Sequence, residues 1–460
     1  MKFVNVPISK IITSDRLEPK FHVFQETLSL VKEKYWYSTL EDMVSENIIR
    51  WQSPKPSTYK DRWQWKHVFI RTADVKKYRI NLWTTVYLDD ETFVTQKRNR
   101  VKGWDLLISV VWNYLGSTAV IPWNITSWAF NDNSARIRLK EWISPYLVMY
   151  YLNSKFWQDV IQSLLTRTGQ KILSAWNAKQ IVVPNITDDG ISDKAKSIEE
   201  NESIAIWLIE EAQKYFYDNL NINFSEMSDE KFFSTNLSDF ANDDFWTPAF
   251  SRPLYSKVIE SIKKYPTLKL WWKDWIATVV AWDEIGSDNY ISFRDKTKWD
   301  IPFIRTTDFV NYETDLYPDF FVPESIYSGL SQDIEKGDVL FTKDWKIWMV
   351  AMITEQDKAI FASGIARIRL KKNIASYITP EYLFLVLTIK EIWKYQANKR
   401  TVIASTLPHL RREDLEEFLI PVLDEDKVKH ITELISRAFS LKDKNKIIIQ
   451  ELKELMDNKF

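Results

Sequence analysis

The chain is written twice, and that duplication limits its fold more than any single motif. "VFIRTADVKKYRINL" at 68–82 returns as "PFIRTTDFVNYETDL" at 302–316, and "VKGWDLLISVVWN" at 101–113 returns as "EKGDVLFTKDWK" at 335–346. "ARIRLKEWISPYLVMYYLNSKFWQ" at 135–158 returns as "ARIRLKKNIASYITPEYLFLVLTIKEIWK" at 366–394. Each half then reaches an apolar stretch ending in Pro, "QIVVP" (180–184) and "EFLIP" (417–421). A helical segment follows in both, "LIEEA" (208–212) opposite "LISRA" (434–438). The lead-in segments "SDRLEPKF" (14–21) and "DDFWTPAF" (243–250) also correspond. The distance between copies stays within about 226 to 237 residues, as a tandem duplication requires. A chain of 460 residues has room for two such units, each with its own core.

The same plan is expected in each copy. Alternating runs such as "HVFIRTADV", "DLLISVV" and "ARIRL" predict strands. "SPYLVMYYLNSKFWQDVIQSLLTR" and "TPEYLFLVLTIKEIWKYQANKR" predict helices, entered by Ser144-Pro145 and Thr379-Pro380 as N-cap and first helical residue. Longer amphipathic helices follow, over 195–220 and 425–457. In the first, Ile198, Ile204, Leu208, Ile209, Ala212, Phe216 and Leu220 form an apolar stripe. In the second the stripe is Val428, Ile431, Ile435, Ala438, Leu441, Ile448, Leu452 and Leu455. Two such stripes can cover each other. The expectation is two globular lobes, a helical spacer and approximate two-fold symmetry.

Composition adds an anomaly. The chain has 22 Trp and only 8 Gly. Together they make up about 6.5% of residues, close to the roughly 7% typical of Gly alone. The surroundings of the Trp residues, "KDRWQWKH", "KLWWKDWIA", "KTKWDIPF" and "VIPWNITSW", are polar and turn-like, where Gly is ordinary. When "LISVVWNYLGSTAVI" is laid on "LFTKDWKIWMVAMI", Trp112 falls on Trp345 and Gly116 on Trp348. This predicts that most of the Trp positions are Gly in the producing organism, through a genetic code in which UGA specifies Gly. The alternative is a truly Trp-rich protein with aromatic binding platforms. No function is assigned to any Trp.

Charge is segregated. The net charge is −1, yet residues 50–187 carry 20 Lys/Arg against 9 Asp/Glu, and residues 188–250 carry 4 against 15. Within 343–412 there are 13 basic and 5 acidic residues. Two basic lobes around an acidic connector suit a chain that touches a polyanion at two places. There are no Cys and four His, so thiolate metal sites and disulfides are excluded. No leader-like or membrane-length apolar run occurs, and a cytoplasmic location is expected. Neither the chain as written nor its Gly-substituted form contains a P-loop, a dinucleotide-binding fingerprint, H-E-x-x-H, G-x-S-x-G or an Asn/Asp-Pro-Pro-aromatic segment. His67 and His409 are lone histidines beside basic residues. These residues point to binding without chemistry. A stand-alone nuclease or methyltransferase-associated enzyme with an unrecognised site, and an adaptor that binds no DNA, remain as alternatives.

At the repeated "FIRT-x-D", "KG-x-D" and Pro-ended blocks the chain resembles the specificity subunit of type I restriction–modification systems, over roughly residues 14–460. That resemblance implies an α+β fold of two tandem α/β lobes of the target-recognition type, separated by long antiparallel helices and related by a pseudo-two-fold axis. The expected division is an N-terminal segment 1–35, recognition domain 36–187, helical connector 188–250, recognition domain 251–422 and spacer helix 423–460. It implies a non-catalytic subunit that reads a bipartite site on double-stranded DNA and docks adenine methyltransferase subunits, two in the expected assembly. A motor–nuclease subunit can join. No cofactor is expected in this chain; S-adenosylmethionine, and ATP with Mg for restriction, would belong to partner subunits. No membrane partner is expected. The candidate DNA-binding residues are Lys60, Arg62, Lys66, Lys76, Lys77, Lys97, Arg98 and Arg100 in the first lobe. In the second they are Lys343, Lys346, Lys399, Arg400, Arg411 and Arg412. Arg71 and Arg305 have Asp74 and Asp308 three residues on, so a structural ion pair competes with phosphate contact. Arg136, Arg138, Arg367 and Arg369 alternate with Ile and are expected on a solvated strand face.

Overall fold

The structure is a computed structural model. It describes all residues except 1–4, 15–18, 61–65, 112–114, 162–171, 221, 225–226, 228–229, 231, 235, 237–249, 271–276, 283–284, 293–295, 298, 331, 345–346, 372–376 and 405–406. Helices and sheets mix throughout, as an α+β fold requires. The chain forms two compact units, residues 1–200 with 447–460, and residues 201–446. The lead-in "DDFWTPAF" and the aligned pair Trp112 and Trp345 lie outside the described residues, apart from Phe250.

In the first unit, strand Leu106–Ser109 pairs antiparallel with Thr118–Val120 on one side and Ser134–Ile137 on the other. A second sheet places His67–Ile70 parallel to Trp128–Phe130, with Val86–Leu88 and Arg100–Val101 at its edges. Val68, Ile70, Leu107, Ala119 and Phe130 fill the space between. In the second unit, Val339–Thr342 takes the central antiparallel place between Val350–Met352 and Ile365–Leu370. There Ile301–Ile304 is the strand with the parallel partner, Ile360–Phe361. The central pairings recur in both copies, including the parallel ladder, while the second copy adds Ala277–Ala281 on Ile365–Leu370 and the first adds Arg100–Val101 on Trp128–Phe130. Apolar alternation specifies this pattern, because one face of each strand must meet the core.

The helix starts follow the expected chemistry. The Ser144 hydroxyl accepts from the Leu147 amide and Pro145 opens helix Pro145–Asn153. Thr379 does the same for Pro380–Thr388. The Pro-ended strands Val182–Pro184 and Leu419–Pro421 pair with Tyr37–Thr39 and Thr267–Lys269. Both copies also hold a buried Tyr in left-handed backbone, Tyr78 (φ 71°) and Tyr312 (φ 72°).

Two long helices, Ile191–Leu220 and Glu425–Asp457, follow the Pro-ended strands. In the first unit Lys194 meets Glu451 at 2.9 Å. In the second, the Asn201 and Asn445 side chains bond at 2.9 Å, and the rings of Tyr215 and His430 lie 4.5 Å apart. Rising numbers on one helix meet falling numbers on the other, so they pack antiparallel within each unit. The stripes need correction in part. Ile204 and Leu455 are exposed, and Ile198, Leu441 and Ile448 are only half-buried. After Ala438 the buried face runs through Lys442, Asn445, Lys446, Ile449, Leu452 and Met456, because polar residues with partners occupy its centre. Among the described residues, no helix is long and apolar enough to cross a membrane.

At the start of the first helix, Glu199 accepts hydrogen bonds from the Tyr146 hydroxyl and, at 2.8 Å, from the Trp123 amide. Burial is the chief influence on its carboxyl and holds it above the ordinary value despite these bonds. A carboxyl raised by folding favours the native state at low pH, and this contribution is lost as pH rises through the folded value. Glu199→Gln is therefore expected to melt no lower than the parent at neutral pH. Its relative advantage should vanish below the ordinary value of 4.5. Melting temperatures of both proteins across this range check the direction.

Candidate nucleic-acid interface

The arginines of the repeated motifs are held inside their own lobes. Arg71 makes a two-point pair with Asp74, at 3.1 and 3.2 Å, and also donates to the Thr84 carbonyl. Arg305 pairs with Asp308 at 2.9 and 3.2 Å and with Asp319 at 2.9 Å. The structural ion pair is thus the geometry found at both sites. The expected solvated face of Arg136, Arg138, Arg367 and Arg369 is corrected. Arg138 binds Asp105 through two bonds of 2.7 Å and reaches Glu46, while Arg369 binds Asp338 through two bonds of 2.7 Å and reaches Asp333. Arg136 donates to the Arg100 carbonyl and Glu46, and Arg367 donates to Asp333. The carboxylates come from distant segments that folding brings beside the strand. A hydrogen bond from Arg138 is the main influence holding the Glu46 carboxyl below its usual range.

The remaining basic candidates divide by environment. In the first lobe, Lys66, Lys97 and Arg98 are exposed, and Lys66 lies 3.5 Å from Asp90. Lys60 is half-buried, 3.6 Å from Asp89. The Arg100 guanidinium is half-buried 4.5 Å from the centre of the Phe93 ring. Lys76 and Lys77 are 4% and 8% exposed, which removes their side chains from the open surface. They enter the left-handed turn at Tyr78, so the chain carries them inward. Arg62 lies outside the described residues.

In the second lobe Lys343 is buried beside Asp344, at 3.5 Å, and Lys346 is outside the described residues. Lys399 lies 4.5 Å above the Phe250 ring. Arg400 and Arg411 converge on the buried Asp414 carboxylate, at 3.9 and 2.8 Å. Arg412 meets Glu413 and Glu416, both at 3.3 Å. Paired guanidinium groups neutralise a duplex less effectively than free ones, because their own carboxylates offset the field. Of the two lone histidines, His67 is a packing group and His409 a partly exposed partner of Asp344. His67 is buried, bonded to Asp90 at 2.6 Å and stacked 4.0 Å from Phe93, and His409 bonds Asp344.

Two features escaped the sequence. Lys55, between two prolines, is exposed, although the segment's polarity was its only signal. Asn99 is buried, and its Nδ2 donates to the Gln52 carbonyl at 3.1 Å and to Gln96 Oε1 at 2.8 Å. That side chain joins the loop after Arg50 to the turn holding Lys97 and Arg98. Among the described residues, no group of three or more His, Asp or Glu side chains could hold a metal ion. This geometry offers fixed positive charge and polar side chains on braced loops.

Residues 284–454 match the family model described as "Type I restriction modification DNA specificity domain". No curated protein matches the chain. Among solved structures, a type I restriction-modification system S subunit from M. genitalium is similar at 11% identity, covering 92% of this chain and 95% of that one, with a TM-score of 0.29. An HsdS subunit from Thermoanaerobacter tengcongensis is similar at 14% identity, covering 92% and 95%, with a TM-score of 0.26. A structure titled for complex assembly and conformational transition of the type I R-M system gives 14% identity, 92% and 96% coverage, and a TM-score of 0.28.

Proposed function

We propose that this chain, which through residues 284–454 belongs to the type I restriction modification DNA specificity family, reads a bipartite site on double-stranded DNA with its two lobes. The observation that carries this reading is the duplication. The part matching the family has a second copy with the same central strand pairing, and two copies of one reader suit a site in two parts. Lysine and arginine neutralise phosphates and supply affinity without sequence information. Base-edge hydrogen bonds then select, with Arg suited to guanine and Asn or Gln to adenine. The two lobes differ in their exposed side chains, so the two half-sites should differ in sequence. The long helices would dock adenine methyltransferase subunits, two in the full assembly, with a motor–nuclease subunit able to join. S-adenosylmethionine, and ATP with Mg, would be bound by those partners.

Exchanging residues 36–187 for the corresponding segment of a relative is expected to change one half of the recognised site and leave the other intact. Mapping methylated adenines in DNA modified by the exchanged complex checks this. Changes in both halves, or in neither, would contradict independent lobes. DNA cleavage by the isolated chain with a divalent metal would favour the nuclease alternative instead.

A further inference from the structure

The lobes share a backbone, but one face differs sharply in charge between them. Backbone pairing fixes the correspondence. Lys60 bridges Tyr87 as Ile291 pairs with Phe321. The short turns Pro56–Thr58 and Ser287–Asn289 follow Lys55 and Gly286. Arg136 donates to the Arg100 carbonyl at 2.6 Å, and Arg367 to the Asp333 carbonyl at 2.6 Å. The amides of Lys102 and Glu335 donate to Asp105 and Asp338 at 2.7 and 2.8 Å. In this register Lys55, Lys60, Lys66, Arg100 and Lys102 fall on Gly286, Ile291, Asp300, Asp333 and Glu335. Counting back from Arg100 and Asp333, Lys97 and Arg98 fall on Leu330 and Ser331. Seven basic positions in the first copy are thus matched by three acidic and no basic ones in the second. The second copy's longer loop, "ISFRDKTKWD" (291–300), carries Arg294, Lys296 and Lys298 in place of Arg62. Of these three, Lys296 is described, 4.8 Å from the centre of the Phe321 ring.

This difference sits on a built surface. Asn99 ties the Gln52 backbone to the turn at 96–99, and Asp132 holds the same loop from behind. It accepts from Ser53 Oγ at 2.7 Å through its carboxylate and from Arg50 Nε at 3.0 Å through its carbonyl. Lys55, Lys97 and Arg98 are exposed on that braced backbone. Among the described residues none of the three pairs with a carboxylate. In the second lobe, by contrast, Arg400, Arg411 and Arg412 are engaged by Asp414, Glu413 and Glu416. The Arg98 guanidinium lies 4.1 Å from the centre of the Trp51 ring. Cations without a carboxylate beside them, carried on a braced backbone, meet a phosphate with no internal anion to displace and release its counterions.

We propose that Lys55, Lys97 and Arg98 form a sequence-independent clamp on the phosphates of double-stranded DNA, built at three positions of the first lobe whose counterparts in the second, Gly286, Leu330 and Ser331, carry no charge. The clamp rests on the DNA-reading function proposed above and assigns the affinity unequally between two otherwise similar lobes. The second lobe then contributes selection with little of the salt-dependent grip.

The test uses the full-length chain in its methyltransferase complex and duplex DNA of random sequence, with Kd measured over a series of salt concentrations. The variant Lys55→Ala/Lys97→Ala/Arg98→Ala is compared with Lys296→Ala/Lys336→Ala/Lys358→Ala, which removes the same charge from the second lobe. Each phosphate contact contributes about 0.9 to the slope of log K against log salt, so the first variant should flatten it by up to about 2.7. At about 0.1 M salt its Kd should rise roughly 10²-fold. The second variant should change the slope by less than about one contact's worth. A third variant, Lys55→Arg/Lys97→Arg, keeps the charge and should keep the parent slope, with melting temperatures read alongside to exclude misfolding. Equal flattening by both triple variants, an unchanged slope in the first, or a flattened slope in the charge-preserving variant would overturn the clamp. If the parent complex binds duplex DNA and modifies its site in these cases, the clamp alone has failed. If the parent binds no duplex at any salt, the clamp and the DNA-reading function fall together.

Discussion

Replacing Lys446 by Met is expected to destabilise the second unit by about 3–5 kcal/mol, the usual cost of removing one partner from a buried ion pair. The Lys446 ammonium is buried, 2.7 Å from Asp357 and 3.5 Å from Glu313, and donates to Thr354 Oγ1 at 3.0 Å. One helical turn earlier, the buried Lys442 lies 3.0 Å from Glu202 and 3.2 Å from Glu313. The first long helix, the second long helix and the lobe thereby meet in one network. Met preserves the volume of the Lys stem, so loss of the charge dominates over a cavity. The buried Asp357 carboxylate would then lose its cation, while Glu313 keeps Lys442 at 3.2 Å. Adding Asp357→Asn to Lys446→Met removes that stranded charge and should recover part of the loss. Urea unfolding of the parent, single and double variants measures both effects. A single-variant loss below about 1 kcal/mol would mean that water already reaches these groups.

The same network sets a condition on exchanging the second lobe. An incoming segment must supply acids where Glu313 and Asp357 stand, or it will bury Lys446 without a carboxylate partner and leave Lys442 with Glu202 alone. The first lobe cannot serve there, since Arg79 occupies the place of Glu313 beside the left-handed Tyr in each copy. Duplication copied the backbone, and the contacts with the long helices then diverged in charge.

What was legible in the sequence was whatever depends on local pattern. The repeated blocks, the Ser144-Pro145 and Thr379-Pro380 helix starts and the two long helices all follow from spacing within a few residues. Partners distant in sequence were not legible. "ARIR" shows two arginines on one strand face, but nothing local shows that Asp105 and Glu46 come to meet them. The long-helix stripe shows the same limit. Apolar periodicity selected Leu441 and Ile448, whereas the helix buries Lys442 and Lys446 because the lobe offers them carboxylates. A basic-residue count likewise could not separate the exposed Lys97 from the buried Lys76 and Lys77.

Reading the gene is expected to find UGA at Trp104 and UGG at Trp157. Among the described residues, eight of the exposed large hydrophobic side chains are Trp: Trp36, Trp51, Trp104, Trp123, Trp142, Trp176, Trp207 and Trp299. So many exposed indoles run against the strong average burial of Trp. Trp104 is decisive because of its backbone. It has φ 68° and donates its amide to the Ile121 carbonyl at 2.9 Å. Its counterpart with φ 90°, donating to the Ile353 carbonyl at 2.9 Å, is Gly337. The left-handed region costs a side-chain-bearing residue about 1–2 kcal/mol, and Gly adopts it freely. Trp348, which aligns with Gly116 (φ 84°), does not share that residue's left-handed backbone. Trp348 is half-buried, its ring 6.4 Å from that of Trp393. Trp157 is the opposite case. It is fully buried in helix Lys155–Val160, where the corresponding helix of the second copy buries Ile392. Trp104→Gly should therefore stabilise the written chain by about 1 kcal/mol, after the lost contact of its indole with Tyr146 and the greater backbone entropy of Gly are counted. Trp157→Gly should cost about 3–5 kcal/mol from the emptied core, and roughly 1 more from helix propensity. Melting both variants against the written chain tests the opposite signs. UGG at Trp104 and at the other exposed positions would end the recoding hypothesis. A stabilising Trp157→Gly would show that even the buried indole is out of place.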